Sequence, residues 1–131
     1  MSSTKLLIPV SEPLIGDREL ELVTDCLRRG WISSAGDYIE AFEKAWAKYC
    51  GREYGIAVSS GTAALQVALG CLGLKPGDEV ILPDFTMFAC AVAVVSTGAR
   101  PVLVDAEPET WCLDVTKIEE KITPRTKAIM A

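Results

Sequence analysis

Tyr54-Gly-Ile-Ala-Val-Ser-Ser-Gly-Thr-Ala-Ala-Leu65 is the stretch that decides the fold, because an apolar run meets a polar turn and then a helical pattern. Residues 56–58 predict a buried strand, and residues 61–72 predict a helix with its apolar side chains on one face. Ser59 or Ser60 can cap that helix, and the glycine that follows lets a ligand approach the backbone closely. The first amides of a helix lack intrahelical partners, so this turn predicts a phosphate site. A capped turn that binds nothing is the alternative.

The composition limits the class of protein. The chain has 131 residues, half of them apolar, which is enough for one domain with a hydrophobic core. Its net charge of −5 and its scattered Lys and Arg argue against a nucleic-acid partner. The apolar run at residues 6–9 is too short for a signal peptide, and the longest run, residues 87–95, is too short to cross a membrane. We therefore expect a soluble intracellular protein.

The cysteines and the missing histidine exclude several chemistries. The five cysteines are widely spaced with no Cys-x-x-Cys pair, and the sequence has no histidine. This pattern indicates reduced thiols in the cytoplasm and argues against a zinc site. Catalysis by a Ser-His or Cys-His pair within this chain is also excluded.

Two kinds of pattern divide the chain at residue 54. Residues 1–53 predict a helical N-terminal segment with an active-site loop, and residues 54–131 predict alternating strands and helices. The expected elements are helices 17–29 and 37–50, strand 54–60, helix 61–72, strand 79–83, helix 86–97, strand 101–105, a helix near 115–121 and a strand beginning at 127. Because no turn or cap follows the last strand, we expect a truncated chain.

This order predicts an α/β fold with a mainly parallel sheet and right-handed crossovers. In such sheets the carboxyl ends of the strands share one edge, where ligands bind. That edge should carry residues 59–62, 84–87 and 105–107, and this convergence strengthens the phosphate interpretation. A nicotinamide-binding Rossmann domain is the rival fold, but the Gly-x-Gly-x-x-Gly motif that it predicts is missing.

Seven runs follow one another along the chain: Gly30-Trp-Ile-Ser-Ser-Ala-Gly36, Phe42-Glu43, Ala57-Val-Ser-Ser-Gly-Thr-Ala-Ala-Leu65, Gly77-Asp-Glu-Val-Ile81, Pro83-Asp-Phe-Thr86, Gly98-Ala-Arg-Pro-Val-Leu-Val-Asp105 and Ile122-Thr-Pro-Arg-Thr-Lys-Ala-Ile129. Taken in this order, they resemble the DegT/DnrJ/EryC1/StrS family of sugar aminotransferases, which use pyridoxal phosphate (PLP) on nucleotide-linked keto-sugars. The resemblance implies the three-layer, mainly parallel sheet of the fold type I large domain, of which this chain would be the N-terminal part. Pro108-Glu-Thr-Trp-Cys-Leu-Asp114 most resembles the perosamine-synthase branch, which aminates C4 of a GDP-linked 4-keto-6-deoxy sugar.

The resemblance implies specific contacts to the cofactor phosphate, made by backbone amides and a threonine hydroxyl. Those contacts fall on four consecutive residues, Ser60, Gly61, Thr62 and Ala63.

An aromatic residue after Pro-x-x-Thr usually stacks on the PLP ring in this family, and Met87 holds that position here. A thioether can also pack on a ring face. Phe85 and Phe88, which flank it, could serve the ring or belong to the core.

The loop between the first two helices resembles the family's segment beside the cofactor and sugar. Trp31, Ser33 and Ser34 are the implied substrate-binding residues. Trp31 could instead be a surface or inter-subunit packing residue.

Asp84 and Asp105 follow strands, where carboxylates usually cap loops or helices. We therefore do not assign them to the pyridine nitrogen, whose aspartate lies later in the family.

No catalytic residue is expected within this chain. PLP transamination needs a lysine that holds the cofactor and moves a proton, and the family places it beyond residue 131. The lysines present, such as Lys75, Lys121 and Lys127, match no catalytic motif. The resemblance implies glutamate as amino donor and a homodimer with shared active sites. A PLP-dependent sugar dehydratase, with histidine at the lysine position, and a truncated non-catalytic fragment remain the alternatives.

Overall fold

Two helices dominate the first of two units into which the chain divides, and each unit is described by itself. The computed structural model describes residues 8–131, and the units are residues 8–57 and Val58–Ala131. Residues 6 and 7 of the short apolar run at the N-terminus lie outside the described residues.

Helix α1 (Asp17–Arg29) begins after Gly16, whose N–H donates to the Glu19 carboxylate at 2.8 Å. It ends at Gly30, which has a left-handed backbone with φ +76°. Such a C-terminal glycine is common because it takes this conformation without strain. The helix predicted over residues 17–29 is confirmed.

Helix α2 (Asp37–Tyr49) confirms the second predicted helix. Its aromatic side chains form a stacked row, with ring centroids 6.2 Å apart for Phe42 and Trp46 and 5.7 Å apart for Trp46 and Tyr49. This row stays largely exposed within the described residues, as do the apolar side chains of α1. The amphipathic patterns therefore predicted helices correctly, although the described residues do not cover their apolar faces.

The strand predicted over residues 54–60 is wrong. Residues 54–58 (the 54–58 segment) form no strand, and the side chains of Tyr54 and Ile56 are 78% and 77% exposed. An apolar run forms a strand only where a neighbouring strand accepts its hydrogen bonds, and none of the described strands pairs with it.

A parallel three-stranded sheet forms the centre of the second unit. Its strands are β1 (Glu79–Pro83), β2 (Arg100–Val104) and β3 (Thr126–Ile129), in the order β2-β1-β3. β1 pairs in parallel with both neighbours, with an irregularity between Glu79 and Val80 on the β3 side. All five residues of β1 are buried, as expected for a central strand.

Side chains of β1 alternate between two hydrophobic clusters. Helices α3 (Gly61–Gly70) and α4 (Phe88–Ser96) pack together and cover one face of the sheet. The cluster on this face contains Leu69, Val80, Leu82, Ala93, Val94 and Ala99. The other cluster contains Ile81, Val104 and Leu113. The α/β class with a mainly parallel sheet, predicted from the sequence, is confirmed.

Two short 3-10 turns replace the helix that was expected near residues 115–121. They span Val115–Lys117 and Glu119–Lys121. The Asp114 carboxylate accepts the Thr116 N–H at 3.0 Å and caps the first turn. A segment this short gains little from helical propensity, so its packing against the sheet decides its form.

Candidate active site

The start of α3 presents backbone N–H groups that no described residue satisfies. Ser60 is the N-cap, and its Oγ accepts the Ala63 N–H at 3.2 Å while its carbonyl accepts the Ala64 N–H at 3.0 Å. The N–H groups of Gly61 and Thr62 have no acceptor among the described residues. They lie at the positive end of the helix dipole, where an anion is stabilised.

Open space lies beside Gly61. A Cβ placed on this residue would meet no atom within 4 Å, apart from its own chain neighbours and helix backbone. Its φ is not positive, so the conformation of the turn does not itself require glycine. The missing side chain instead leaves room for a group of phosphate size to reach the N–H donors.

The direction of α3 places its start at the carboxyl edge of the sheet. The chain that follows α3 reaches the amino edge, where Pro76 lies against Gly98 and the Arg100 N–H donates to the Asp78 carbonyl at 2.8 Å. α3 therefore runs opposite to β1 and begins at the other end. The first of the three loops predicted to converge lies on the expected edge.

The loops after β1 and β2 meet at this same edge. The Asp84 N–H donates to the Val104 carbonyl at 2.9 Å, which joins the ends of the two strands. Phe85 and Trp111 lie with ring centroids 5.1 Å apart and planes tilted by 56°. They border a surface groove of about 370 Å³, lined by Asp84, Phe85, Asp105, Ala106, Glu107, Pro108 and Trp111.

Met87 lies on this edge with its thioether exposed. It is the N-cap of α4, its carbonyl accepts the Cys90 N–H at 3.0 Å, and its side chain is 76% exposed. Phe85 and Phe88 are 62% and 81% exposed, so neither belongs to the core of the described residues. The core alternative for these two phenylalanines is wrong there, and ring stacking by Met87 stays a prediction.

Asp105 forms an ion pair on the edge. Its Oδ2 lies 3.0 Å from Lys117 Nζ, which also lies 3.4 Å from Asp114 Oδ2. The hydrogen bond and charge of Lys117 lower the pKa of Asp105. In turn, the hydrogen bond to Asp105, with a further contribution from Asp114, raises the pKa of Lys117. The carboxylate therefore links two loops, in keeping with the structural role that the sequence suggested.

The predicted substrate residues lie in the loop of the first unit. The Trp31 N–H donates to the Cys26 carbonyl at 2.9 Å, and the indole lies against Gly36, whose φ of +147° only glycine adopts readily. Trp31 and Ser33 line one small cavity of about 60 Å³, whereas Ser34 is exposed outside it. Trp31 is 44% exposed, so much of the ring is available for contact.

Two residues of interest have contacts that their sequence pattern does not indicate. Trp111 lies in the run Pro108–Asp114, borders the groove with Phe85 and has a positive φ of 63°. Glu43 lies in the run Phe42-Glu43, and its carboxylate accepts the Ala57 N–H at 2.8 Å. Side-chain contacts between separate parts of the chain leave no periodic signal, so the pattern alone could not show them.

Comparison with known families identifies the class. The model of the DegT/DnrJ/EryC1/StrS aminotransferase family matches residues 13–131. This chain belongs to that family. The resemblance deduced from the seven runs is thereby confirmed.

Similar proteins act in sugar chemistry. The chain is 50% identical over 123 residues to GDP-perosamine synthase from Caulobacter vibrioides, a match that covers 94% of this chain and 33% of the relative. It thus spans about a third of the length of the curated relatives that it matches.

Solved structures share the fold. A putative sugar aminotransferase of Streptococcus pneumoniae in its PLP form matches with a TM-score of 0.83 and 38% identity, covering 93% of this chain and 31% of the other. A GDP-4-keto-6-deoxy-D-mannose-3-dehydratase of Escherichia coli with bound hydrated PLP matches with a TM-score of 0.80 and 28% identity, covering 92% and 32%. The solved structures that share this fold therefore carry the names of an aminotransferase and of a dehydratase.

Among the described residues, no helix is long and apolar enough to cross a membrane. The same part of the chain holds no cluster of three His, Cys, Asp or Glu side chains placed to bind a metal ion.

Proposed function

We propose that this chain supplies the cofactor-phosphate site of a PLP-dependent aminotransferase that acts on a nucleotide-linked keto-sugar, with glutamate as amino donor. One observation carries the proposal: the unsatisfied N–H groups of Gly61 and Thr62 lie beside open space in a member of an aminotransferase family. The 50% identity to a GDP-perosamine synthase supports the nucleotide-sugar substrate.

The described residues fit the phosphate of PLP. The N–H groups of Gly61 and Thr62 would donate to phosphate oxygens, and the Thr62 hydroxyl can donate as well. Ser60 holds the turn through its hydrogen bond to the Ala63 N–H. These donors belong to backbone fixed by α3, so little further ordering is needed when an anion binds.

Met87 would pack against one face of the cofactor ring. Its thioether is exposed on the carboxyl edge, and sulfur makes favourable contacts with aromatic rings. When bound, PLP supplies the carbonyl that accepts the amino group and the ring that withdraws electrons from the reacting carbon. Met87 would limit tilting of that ring while the phosphate turn holds its other end.

The sugar contacts are assigned to Trp31, Ser33 and Ser34. The indole of Trp31 offers an apolar face, and the two serine hydroxyls can donate to or accept from sugar hydroxyls. Their support is the resemblance of this loop to the family's segment beside the cofactor. This assignment is independent of the phosphate turn and can fail separately.

The proposal places the catalytic lysine outside this chain. Lys117 is held between Asp105 and Asp114, and Lys127 Nζ donates to the Pro124 carbonyl at 3.4 Å. Neither is a free amine beside the phosphate turn of α3.

We extend the proposal to a cytoplasmic homodimer, and the unpaired state of all five cysteines agrees with a reducing compartment.

A sugar dehydratase is the second candidate, because the Escherichia coli dehydratase shares the fold at 28% identity. The higher identity to a perosamine synthase favours the aminotransferase. The residue at the position of the family's catalytic lysine, read from the downstream coding sequence, would distinguish an aminotransferase from a dehydratase. Lysine supports amino transfer, whereas histidine would support dehydration.

Amide chemical shifts of the purified, nitrogen-15-labelled chain test the phosphate site directly. We expect PLP to shift the Gly61 and Thr62 amides in a saturable way, while pyridoxal, which lacks the phosphate, leaves them unchanged. Inorganic phosphate should compete. Equal shifts with PLP and pyridoxal, or none with either, would contradict the proposed site.

A further inference from the structure

A hairpin that follows β2 carries Trp111 at the carboxyl edge of the sheet. An antiparallel bridge between Ala106 and Leu113 joins its two sides, and the Asp114 N–H donates to the Asp105 carbonyl at 2.9 Å. Leu113 is buried in one hydrophobic cluster with two residues of the sheet strands. The hairpin is therefore anchored to the sheet within the second unit, and its tip has a defined place.

Trp111 has an unusual backbone conformation near this tip. Among residues 8–131 it is the one non-glycine residue with a positive φ, which is 63°. A side chain crowds its own backbone in this region, so the conformation persists only where the surroundings impose it.

Glu107 holds the turn that imposes this conformation. The Trp111 N–H donates to the Glu107 carbonyl at 3.0 Å, and the Glu107 N–H donates to the Cys112 carbonyl at 2.8 Å. The Glu107 carboxylate also accepts the N–H groups of Glu109 and Thr110, at 3.1 and 2.8 Å. The turn is thus fixed from both its backbone and a side chain, and it presents the indole in one direction.

Phe85 and Trp111 together form an apolar wall of the groove at this edge, here called the aromatic wall. The two rings contact each other, so each restricts the motion of the other. The groove volume of about 370 Å³ lies within the range of about 300–1,000 Å³ that is typical of small-molecule sites. The groove is also lined by three carboxylate residues, Asp84, Asp105 and Glu107.

The charge of the groove limits which part of a nucleotide-linked sugar it can take. Asp105 shares its charge with Lys117, whereas Asp84 forms no ion pair within residues 8–131. Carboxylates repel a diphosphate. A sugar ring has no charge, its hydroxyl groups can donate to carboxylate oxygens, and its C–H groups can pack on aromatic faces. The groove therefore suits the sugar and not the diphosphate.

We propose that the aromatic wall and the Asp84 carboxylate form a subsite for the sugar ring of the substrate. The inference rests on the proposed action on a nucleotide-linked keto-sugar. The indole of Trp111 packs on the C–H face of the ring, and Asp84 accepts its hydroxyl hydrogen bonds. The subsite lies wholly within the second unit and is independent of the sugar contacts assigned to residues 31–34.

The test titrates GDP-mannose, a nucleotide-linked sugar, into the purified, nitrogen-15-labelled chain. It follows the indole N–H of Trp111 and the backbone N–H of Ala106, which also lines the groove. We expect saturable shifts with a dissociation constant of roughly millimolar size. GDP, which lacks the sugar, should leave both signals unchanged. Equal shifts with the two ligands, or none with GDP-mannose, would overturn the inference.

Two substitutions remove the wall and the acceptor separately, with the Ala106 N–H as the common signal. W111G removes the indole, yet glycine adopts a positive φ without strain, so the turn should stay folded while affinity for GDP-mannose falls roughly tenfold. D84A should weaken binding roughly fivefold by loss of a charged acceptor. E109A is the matched control and should bind as the parent does, because Glu109 lies exposed in the same hairpin outside the groove lining.

A purely structural role for Trp111 would lower the melting temperature of W111G and leave the affinity of the folded chain unchanged. Parental affinity in both W111G and D84A, or equal weakening in E109A, would overturn the inference. Weakened binding in either variant, with unchanged β3 amide shifts, supports it. If W111G does not fold, D84A decides.

Titration of the same chain with PLP keeps the two proposals distinguishable. Gly61 and Thr62 amides that ignore PLP would overturn the phosphate site. A groove that ignores GDP-mannose, in a chain whose Gly61 and Thr62 amides respond to PLP, would overturn the sugar subsite alone.

Discussion

Arg125 donates two hydrogen bonds to Glu79, its Nε at 3.0 Å and its Nη2 at 2.8 Å from the same carboxylate oxygen. The other carboxylate oxygen accepts the Thr123 hydroxyl at 2.6 Å. Glu79 is 3% exposed at the start of β1, and the pair spans 46 residues of sequence. The contact therefore fixes the entry of β3 against the central strand.

Removing Arg125 should destabilise the second unit, because R125A leaves the buried Glu79 carboxylate without its positive partner and without both hydrogen bonds to Oε1. We expect the melting temperature to fall by roughly 5–10 °C. R18A is the matched control, since Arg18 pairs with Glu21 on a surface where both side chains are 68% exposed. Equal, small effects of the two substitutions in thermal unfolding would contradict this role for the Glu79 pair.

The same pair predicts a specific acid sensitivity. The Thr123 hydroxyl and then Arg125 lower the pKa of Glu79 below its ordinary value of 4.5. A lowered pKa in the folded state contributes stability that is fully present above about pH 4.5 and is lost as the pH falls toward the lowered pKa. E79Q cannot titrate, so the gap in urea midpoint between parent and E79Q should narrow between about pH 7 and about pH 3.5. A gap that stays constant or widens on acidification would contradict the assignment.

Ser60 caps α3 and lies in the proposed phosphate turn, and the substitution S60D can separate these two roles. S60A removes the acceptor for the Ala63 N–H and should cost about 0.5–2 kcal/mol in the free energy of unfolding. S60D restores a capping oxygen but adds a negative charge beside the proposed phosphate, so stability should recover while PLP binding weakens. Denaturant unfolding and PLP titration measure the two effects, with S59A as the control because Ser59 does not cap the helix. Unweakened PLP binding in S60D would count against the phosphate site.

Substitution of Gly61 should weaken PLP binding without lowering the stability of the chain. Its φ suits alanine, so G61A should leave stability unchanged or raise it by up to roughly 1 kcal/mol. The new methyl group would occupy the open space beside the two N–H donors, and PLP binding should fall at least fivefold by loss of contact geometry. G70A makes the same change at the other end of α3, also in open space, and should not alter binding. Equal affinities of G61A and G70A would show that the ligand does not approach Gly61.

The sequence predicted those features that depend on local chemistry. Helix α1 could be placed from the sequence because its apolar spacing marks the helical stretch and Gly30 marks its C-terminal end. The buried run of β1 and the cap at Ser60 were likewise visible in the pattern. In these places the local preference and the tertiary environment favour the same structure.

The prediction failed where the structure depends on distant parts of the chain. The run around Ile56 reads as a strand, but hydrogen-bond partners decide whether a strand forms, and the described residues provide none. The contact of Glu43 with Ala57 and the pair of Phe85 with Trp111 join segments with no shared period. No pattern within one segment can show a contact whose second half lies elsewhere.

The exposed thioether of Met87 allows ring stacking to be tested without disturbing the fold. M87F places an aromatic ring where the side chain is now 76% exposed, on the same carboxyl edge of the sheet as the proposed phosphate turn. Offset stacking of two aromatic rings should strengthen PLP binding roughly threefold. Inorganic phosphate makes no ring contact, so its affinity should not change, and this comparison serves as the internal control. An M87F chain that binds PLP no more tightly than the parent, with phosphate binding intact, would place the ring away from Met87.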